Sequence, residues 1–241
     1  MEHLLRGARE LGLDLTAIQL EEFYAYSQEI IRWNKKFNLT APTDLKGIQT
    51  RHLLDSLTIV PLIENTHGLK VIDVGSGAGF PGIPLKIVLP EITMVLLEAT
   101  SKKASFLRHI VEMLEMRDVE IITGRAEEIA HLEEYREKFQ RVLSRAVAPL
   151  PVLAELTLPF AGIGGYLIAQ AKDGQMKAVK AGRAIAELGG KLLEASRVNL
   201  EGLEGHELVI IEKIRKTPEK YPRRPGIPAK RPLFERYAEK G

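Results

Sequence analysis

Val71-Ile72-Asp73-Val74-Gly75-Ser76-Gly77-Ala78-Gly79-Phe80-Pro81-Gly82 reads as an apolar strand that ends in a turn with glycine at every second position and leads into a helix. Without a Cβ at Gly75, Gly77 and Gly79 the chain can turn sharply, and a ligand can lie against bare backbone at the helix N-terminus. The stretch from Gly77 to Gly82 also fits the G-x-G-x-x-G spacing of dinucleotide-binding loops. The turn alone therefore leaves two cofactor classes open, a nicotinamide dinucleotide and S-adenosylmethionine.

Outward from this turn, strands and helices alternate. LKVIDVG is followed by a helix through PLKIVLP, then by the strand TMVLLEA and a helix through KKASFLRHIVEML. VEIITG, RVLSRAV and GGYLIAQ add three strands, and their apolar runs suit a parallel sheet covered on both faces. SRVNLEG and HELVIIEKI predict a hairpin at the sheet edge. Before Leu69 the spacing is helical: Leu20, Phe23, Tyr24, Ile30 and Ile31 recur on one face, with Thr16 as the N-cap. His52, Asp55 and Ser56 share a face of a further helix. The expected organisation is a helical N-terminal extension over 1–64, a ligand-binding α/β domain over 65–212 and a basic, proline-rich tail over 213–241.

Composition narrows the chemistry. At 241 residues, 45% hydrophobic and 27% charged, the chain fits one large α/β domain with extensions. It holds no cysteine, which excludes disulfides, thiolate metal sites and cysteine nucleophiles. The six histidines show no metal-ligand spacing, so no metal is expected. The N-terminus carries acids and lacks a signal peptide's apolar run, and no stretch approaches a membrane span, so the expected location is cytoplasmic. The net charge of +2 is uneven: ten Lys or Arg against Glu219, Glu235 and Glu239 put +7 on residues 213–241. Five of the thirteen prolines fall in the same stretch, so it is expected to be extended or turn-like rather than helical, a basic arm suited to a phosphate backbone.

Two acids bear on the cofactor. Asp73, two residues before the first glycine, would repel a pyrophosphate and suit a cationic methionine moiety. Glu98 ends the next strand, where an acid can accept the ribose hydroxyls of an adenosine. Together they favour the sulfonium cofactor. Gly124-Arg125-Ala126-Glu127 follows the third strand, placed for an adenine edge, and Ser144-Arg145-Ala146 ends the fourth. In an open parallel sheet these points converge on the carboxyl edge.

WNKKFNLT, HLLDSL, DVGSGAGFPGIPLKI, LLEATSKKASFL, GRAEE, SRAVAPL and YPRRPGIPAKRPL stand in this order between Trp33 and Leu233. In these segments the chain resembles the RsmG family, also called glucose-inhibited division protein B, the guanine-N7 methyltransferases of bacterial small-subunit (16S) ribosomal RNA. The resemblance implies a Rossmann-like class I methyltransferase fold with a mostly parallel sheet, helices on both faces and the helical N-terminal extension. It implies S-adenosyl-L-methionine as cofactor and small-subunit ribosomal RNA, naked or in a particle, as partner. It places cofactor contacts at Gly75, Phe80, Glu98, Ala99, Thr100, Ala126, Glu127 and Arg145, beside the Asp73, Gly77 and Gly79 read from the turn. Phe80, Ala99 and Thr100 come from the resemblance alone.

Guanine N7 carries its own lone pair, so methylation needs no general base and no catalytic residue is expected. The sequence also lacks the N/D-P-P-Y/F/W box of exocyclic amine methylation; Ser144-Arg145-Ala146-Val147 stands there instead. Asn38, Arg51, His52, Arg223, Arg224, Lys230 and Arg231 are the candidates for holding RNA. His52 reads equally as a buried, satisfied histidine. Two other readings stay open at this point: an NAD-dependent dehydrogenase, and a non-catalytic RNA-binding ribosome-assembly factor on a methyltransferase fold.

Overall fold

A computed structural model describes residues 1–41, 44–145, 148–172 and 174–234. Ala146 and Val147 of the SRAVAPL segment, and the last seven residues of the basic tail, lie outside the described residues.

Seven strands form one sheet: β1 (Lys70–Val74), β2 (Thr93–Glu98), β3 (Val119–Thr123), β4 (Phe139–Arg145), β5 (Ala161–Lys172), β6 (Gly190–Arg197) and β7 (His206–Lys213). Their order is β3-β2-β1-β4-β5-β7-β6. Neighbouring strands among β1 to β5 pair in parallel, while β7 runs antiparallel to both β5 and β6. The expected hairpin is present, with β6 as the edge and β7 slotted between it and β5. The strand order reverses between β1 and β4, and in open α/β sheets ligands bind outside the carboxyl ends at such a switch point.

The period-2 alternation of the strands sorts side chains onto two faces. Val71, Met94, Leu96, Leu143 and Ile168 pack on one side with Phe23, Tyr26, Ile30, Phe106 and Leu107. These aromatic and aliphatic partners come from α2 (Ala17–Asn34) and α6 (Ser101–Met113), joined by α5 (Gly82–Val88). Ile72, Val74, Val95, Leu97, Val142 and Leu167 point the other way, onto Leu153, Ala154, Ala178 and Ile185. The latter belong to α8 (Leu150–Thr157) and α9 (Gly174–Glu187). Full burial of a side chain such as Phe23 contributes roughly 1.5–3 kcal/mol. The N-terminal helices thus share the core of the sheet instead of standing apart from it.

α2 begins with a reciprocal cap: the Thr16 side chain accepts from the Gln19 N–H, and the Gln19 side chain accepts from the Thr16 N–H. After α3 (Leu45–Ile48) the backbone widens into a π-helical stretch, Gln49–Leu54, before α4 (Asp55–Leu57). Such widened turns are frequent at functional sites.

The tail is turn-like rather than helical over most of its described length, but it is not a free arm. Residues 214–234 fold back over the domain because buried groups there need partners. The Arg136 guanidinium collects the carbonyls of Thr217, Pro218 and Tyr221. Arg223 makes a two-pronged ion pair at 2.8 and 2.6 Å with Glu155, a fully buried carboxylate of α8. A buried carboxylate without such a partner would be strongly destabilising, so the tail is held where Glu155 requires it. Its one helical turn, α10 (Ile227–Lys230), follows Gly226, whose N–H donates to Glu127.

Candidate active site

The three glycines take positive φ, +76° at Gly75, +60° at Gly77 and +96° at Gly79, a region side chains other than glycine's seldom adopt. They have different surroundings. A Cβ at Gly77 would meet nothing closer than the Gly75 carbonyl at 3.9 Å, because the residue faces a cavity. A Cβ at Gly79 would come within 2.6 Å of Ile83 and 2.8 Å of the Tyr26 hydroxyl. Tyr26, reaching from α2, donates its hydroxyl to the Ala78 carbonyl and props the turn from below. Gly79→Ala is expected to cost about 2 kcal/mol or more, from overpacking and backbone strain together. Gly77→Ala should cost about 1 kcal/mol and act instead on ligand affinity. Thermal melts alongside cofactor titrations separate the two.

Glu98, almost fully buried, lies across from the turn. One carboxylate oxygen accepts the Gly77 N–H at 2.9 Å and the other the Thr100 N–H at 2.7 Å. These bonds fix the end of β2 against the turn and keep a carboxylate in the cavity wall. Asp73 sits deeper. It is completely buried beneath the turn, one oxygen accepting the Gly82 N–H at 2.9 Å and the other without any partner. Burial raises its carboxyl to about 7, with Glu98 adding to the rise while the Gly82 N–H and Arg145 oppose it.

The cavity over the turn measures about 420 Å³, and its wall includes Gly75, Gly77, Phe80, Glu98, Ala99 and Lys103. That size falls within the range of roughly 300–1,000 Å³ usual for small-molecule sites. Bare backbone, a buried carboxylate at the rim and an unpartnered carboxylate oxygen beneath together fit an adenosine carrying a cationic tail. Glu127 stands apart from this wall, buried, with its carboxylate on the Gly226 N–H at 3.0 Å.

Arg145, at the end of β4, is the hub. Its guanidinium donates to the Arg51 carbonyl at 3.0 Å, to an Asp55 carboxylate oxygen at 3.2 Å and to His52 Nδ1 at 3.1 Å. It also lies 4.8 Å over the Phe80 ring, against which His52 stacks at 4.6 Å. A guanidinium has no acceptor, so His52 Nδ1 must be the lone-pair nitrogen. The proton then resides on Nε2, which donates to Thr40 Oγ1 at 2.9 Å. Burial, and next the Arg145 charge, lower His52 to about 4, so the ring is neutral at physiological pH. His52 is thus buried and hydrogen-bonded at both ring nitrogens, and it also stands in the wall of a neighbouring cavity.

A second cavity of about 1090 Å³ opens beside the first at the ends of β4 and β5. Pro149, Leu150 and Pro151 give it an apolar wall, and Arg51, Gln170 and His206 give it polar groups. The two cavities share Thr40 and Arg145. Asp55 and His52 carried a sequence signal in their shared helix face. Gln170 and His206, distant in sequence, carried none; His206 Nδ1 meets Asp55 at 2.9 Å and the Gln170 amide donates to the Asp55 carbonyl at 2.6 Å. Of the candidates for RNA, Arg51 lines this cavity and Asn38 is exposed. Arg224, Lys230 and Arg231 are exposed on the folded-back tail, whereas the Arg223 side chain is committed to Glu155. Among the described residues no cluster suited to a metal ion occurs, and no helix is long and apolar enough to cross a membrane.

A family model described as rRNA small subunit methyltransferase G (GidB) matches residues 19–199. The Ribosomal RNA small subunit methyltransferase G of Dehalococcoides mccartyi is 49% identical over 236 residues, covering 97% of this chain and all of that protein. That of Roseiflexus castenholzii is 46% identical over 237 residues, with 97% and 100% covered. In fold the chain is similar to M. jannaschii TYW2, crystallised with AdoMet, at a TM-score of 0.50 and 16% identity over 63% of this chain and 72% of that one. It is similar also to TrmN from Thermus thermophilus, at a TM-score of 0.53 and 17% identity over 67% and 49%. With relatives aligned over 97% of its length, and with the strand order and glycine turn described above, the chain belongs to the rRNA small subunit methyltransferase G family.

Proposed function

We propose that the chain transfers the methyl group of S-adenosylmethionine to N7 of a guanine in small-subunit ribosomal RNA. The observation that carries this is the pair of joined cavities at the carboxyl edge, one shaped by the glycine turn and its two acids, the other larger and half apolar. When bound, the cofactor supplies an electrophilic methyl group on a positively charged sulfur. Gly75 and Gly77 give it bare backbone while Gly79, packed against Ile83 and Tyr26, only shapes the turn; Glu98 accepts ribose hydroxyls, and Asp73 offers negative charge from beneath. A pyrophosphate over the same turn would meet both carboxylates, which disfavours a nicotinamide cofactor.

Guanine N7 attacks with its own lone pair, so no side chain has to remove a proton. The chain's task is alignment, which can supply a large share of the rate enhancement when the reacting atoms are held in line. The wall of Pro149, Leu150 and Pro151 offers a face for the splayed base. In this reading Arg51 and the exposed Asn38, Arg224, Lys230 and Arg231 meet phosphates.

Mapping of N7-methylguanine in small-subunit RNA, treated with the chain and with its Gly77→Asp variant, tests the reading. One new N7-methylguanine is expected with the first and none with the second. RNA left unmodified by a folded, cofactor-saturated chain overturns it.

A further inference from the structure

A third cavity, of about 470 Å³, lies outside the joined pair, between the end of α2 and the start of α6. Arg32, Trp33, Lys36, Phe37, Lys102 and His109 line it, and no acidic residue among the described residues does. The rings are fixed. Trp33 packs edge-on to Phe106, stacks on His109 and tilts against Phe37, all with centroids within 5.9 Å. Its indole N–H donates to Glu29 at 3.1 Å, and Glu29 also takes Arg32 and His109. The polar edge of the indole is thereby engaged, which leaves ring surface toward the cleft. Lys102 stands 5.3 Å over the Phe37 ring, and neither Lys36 nor Lys102 has an ion-pair partner among the described residues. Aromatic faces flanked by uncompensated ammonium groups are what an unpaired nucleotide requires, with stacking for its base and charge for its phosphate.

The cleft is tied to the active site by the chain itself. Trp33, Lys36 and Phe37 line the cleft, Leu39 and Thr40 line the cavity over the glycine turn, and Thr40 and Ala41 line the larger one. Lys102 and Lys103 divide in the same way between the first two. Only three residue-to-residue steps, at most roughly 10 Å of extended chain, run from Phe37 to Thr40. Asn34 clamps this segment, accepting the N–H of Leu39 and Thr40 and donating to the Thr40 carbonyl. The three sites are held in a fixed relation along one strip of surface.

We infer that the cleft is a second RNA-binding site, which stacks an unpaired nucleotide near the methylated one against Phe37 and Trp33 and holds its phosphate on Lys36 and Lys102. The choice of RNA as occupant rests on the function proposed above; the cleft's chemistry does not.

Trp33 is the only tryptophan in the chain, so its emission reports on the cleft alone. Titration of the full chain with a short, unstructured oligoadenylate is expected to quench that emission saturably, and more weakly as salt rises. The double variant Lys36→Ala/Lys102→Ala, at two exposed positions, should weaken the titration at least 10-fold with an unchanged thermal melt. Its KM for small-subunit RNA should rise by a similar factor while kcat and cofactor affinity stay the same. Phe37→Ala should reduce the quench and Phe37→Tyr, which keeps a ring, should restore it. Absence of quenching, or a double variant that titrates and methylates like the parent, overturns the inference and leaves the methyl transfer intact. Quenching that depends on both lysines, with no methyl transferred to any RNA, upholds the cleft and overturns the proposed function instead.

Discussion

Asp73→Asn is expected to stabilise the chain without cofactor at pH 8 and, in the same protein, to weaken S-adenosylmethionine binding by about 10-fold to 100-fold. The first effect follows from the burial of a carboxylate with one unpartnered oxygen. Folding holds its carboxyl near 7, whereas an exposed aspartate releases its proton near 3.8. Between those values the folded chain binds a proton that the unfolded chain does not. The stability contributed by this group is therefore complete below about pH 4 and is lost as the pH climbs through about 7. Asparagine keeps an acceptor for the Gly82 N–H and carries no charge to desolvate. It brings a buried amide N–H of its own, so the net gain above pH 7 is about 1–3 kcal/mol. That is a rise of several degrees in melting temperature for a chain of this length.

The second effect has the opposite sign because a cation over the turn compensates the Asp73 oxygen that no protein group pairs. A nearby positive charge lowers a carboxyl by roughly one to three units, each worth about 1.4 kcal/mol. Removing the carboxylate forfeits that coupling. Below pH 7 the wild-type chain should release a proton on binding the cofactor and the variant should not, which calorimetry in buffers of different ionisation enthalpy detects. Melting curves from pH 5 to 9 complete the test. A variant that is less stable than the parent at pH 8 would show that the second oxygen of Asp73 has a partner after all.

The glycine turn shows what a sequence makes plain and what it hides. Strands, their carboxyl-edge positions and the run of positive φ were readable because period-2 apolar runs and alternate glycines act locally. Whether Asp73 faces the ligand or lies beneath the turn was not readable, since that depends on Gly82 passing over it from the next element. The basic tail shows the same limit. Its charge and prolines describe an arm, and only the position of Glu155 on α8, some seventy residues earlier, decides that Arg223 turns inward. Phe80 reads as core from its neighbours alone, and its ring is indeed buried; that it also stands in the cavity wall, bracketed by His52 and Arg145, only the fold reveals. Gln170 and His206 required the β5–β7 pairing to appear beside Asp55.

Arg145→Ala is expected to cost about 3–5 kcal/mol of stability and at least 100-fold in methyl transfer. The guanidinium is the cation paired with Asp55, a carboxylate buried to 2% exposure, whose other oxygen meets His206 Nδ1 at 2.9 Å. Breaking one arm of a buried charge arrangement leaves desolvated charge uncompensated, which is the reason for the large cost. The Arg51 carbonyl loses its donor, and the Phe80 ring loses the cation over it. Both cavities share Arg145, so alignment between cofactor and base is lost along with stability. Arg145→Lys separates charge from geometry, because one ammonium cannot reach a carbonyl, a carboxylate and an imidazole arranged around a planar fork. It should recover part of the stability and little of the activity. His52 gives an independent reading. The wild-type ring is held neutral down to about pH 4, so the unfolded chain takes up its proton first and stability falls as the pH drops below about 6.5. Without the Arg145 charge His52 should titrate closer to its ordinary value, though burial, the larger cause, keeps it lower, and the acid-side loss should shrink. The imidazole resonances of His52 followed by NMR across pH 3.5 to 7 report this directly. An unmoved titration would mean that the guanidinium does not act on His52, and the hub assigned to Arg145 would then reduce to its pair with Asp55.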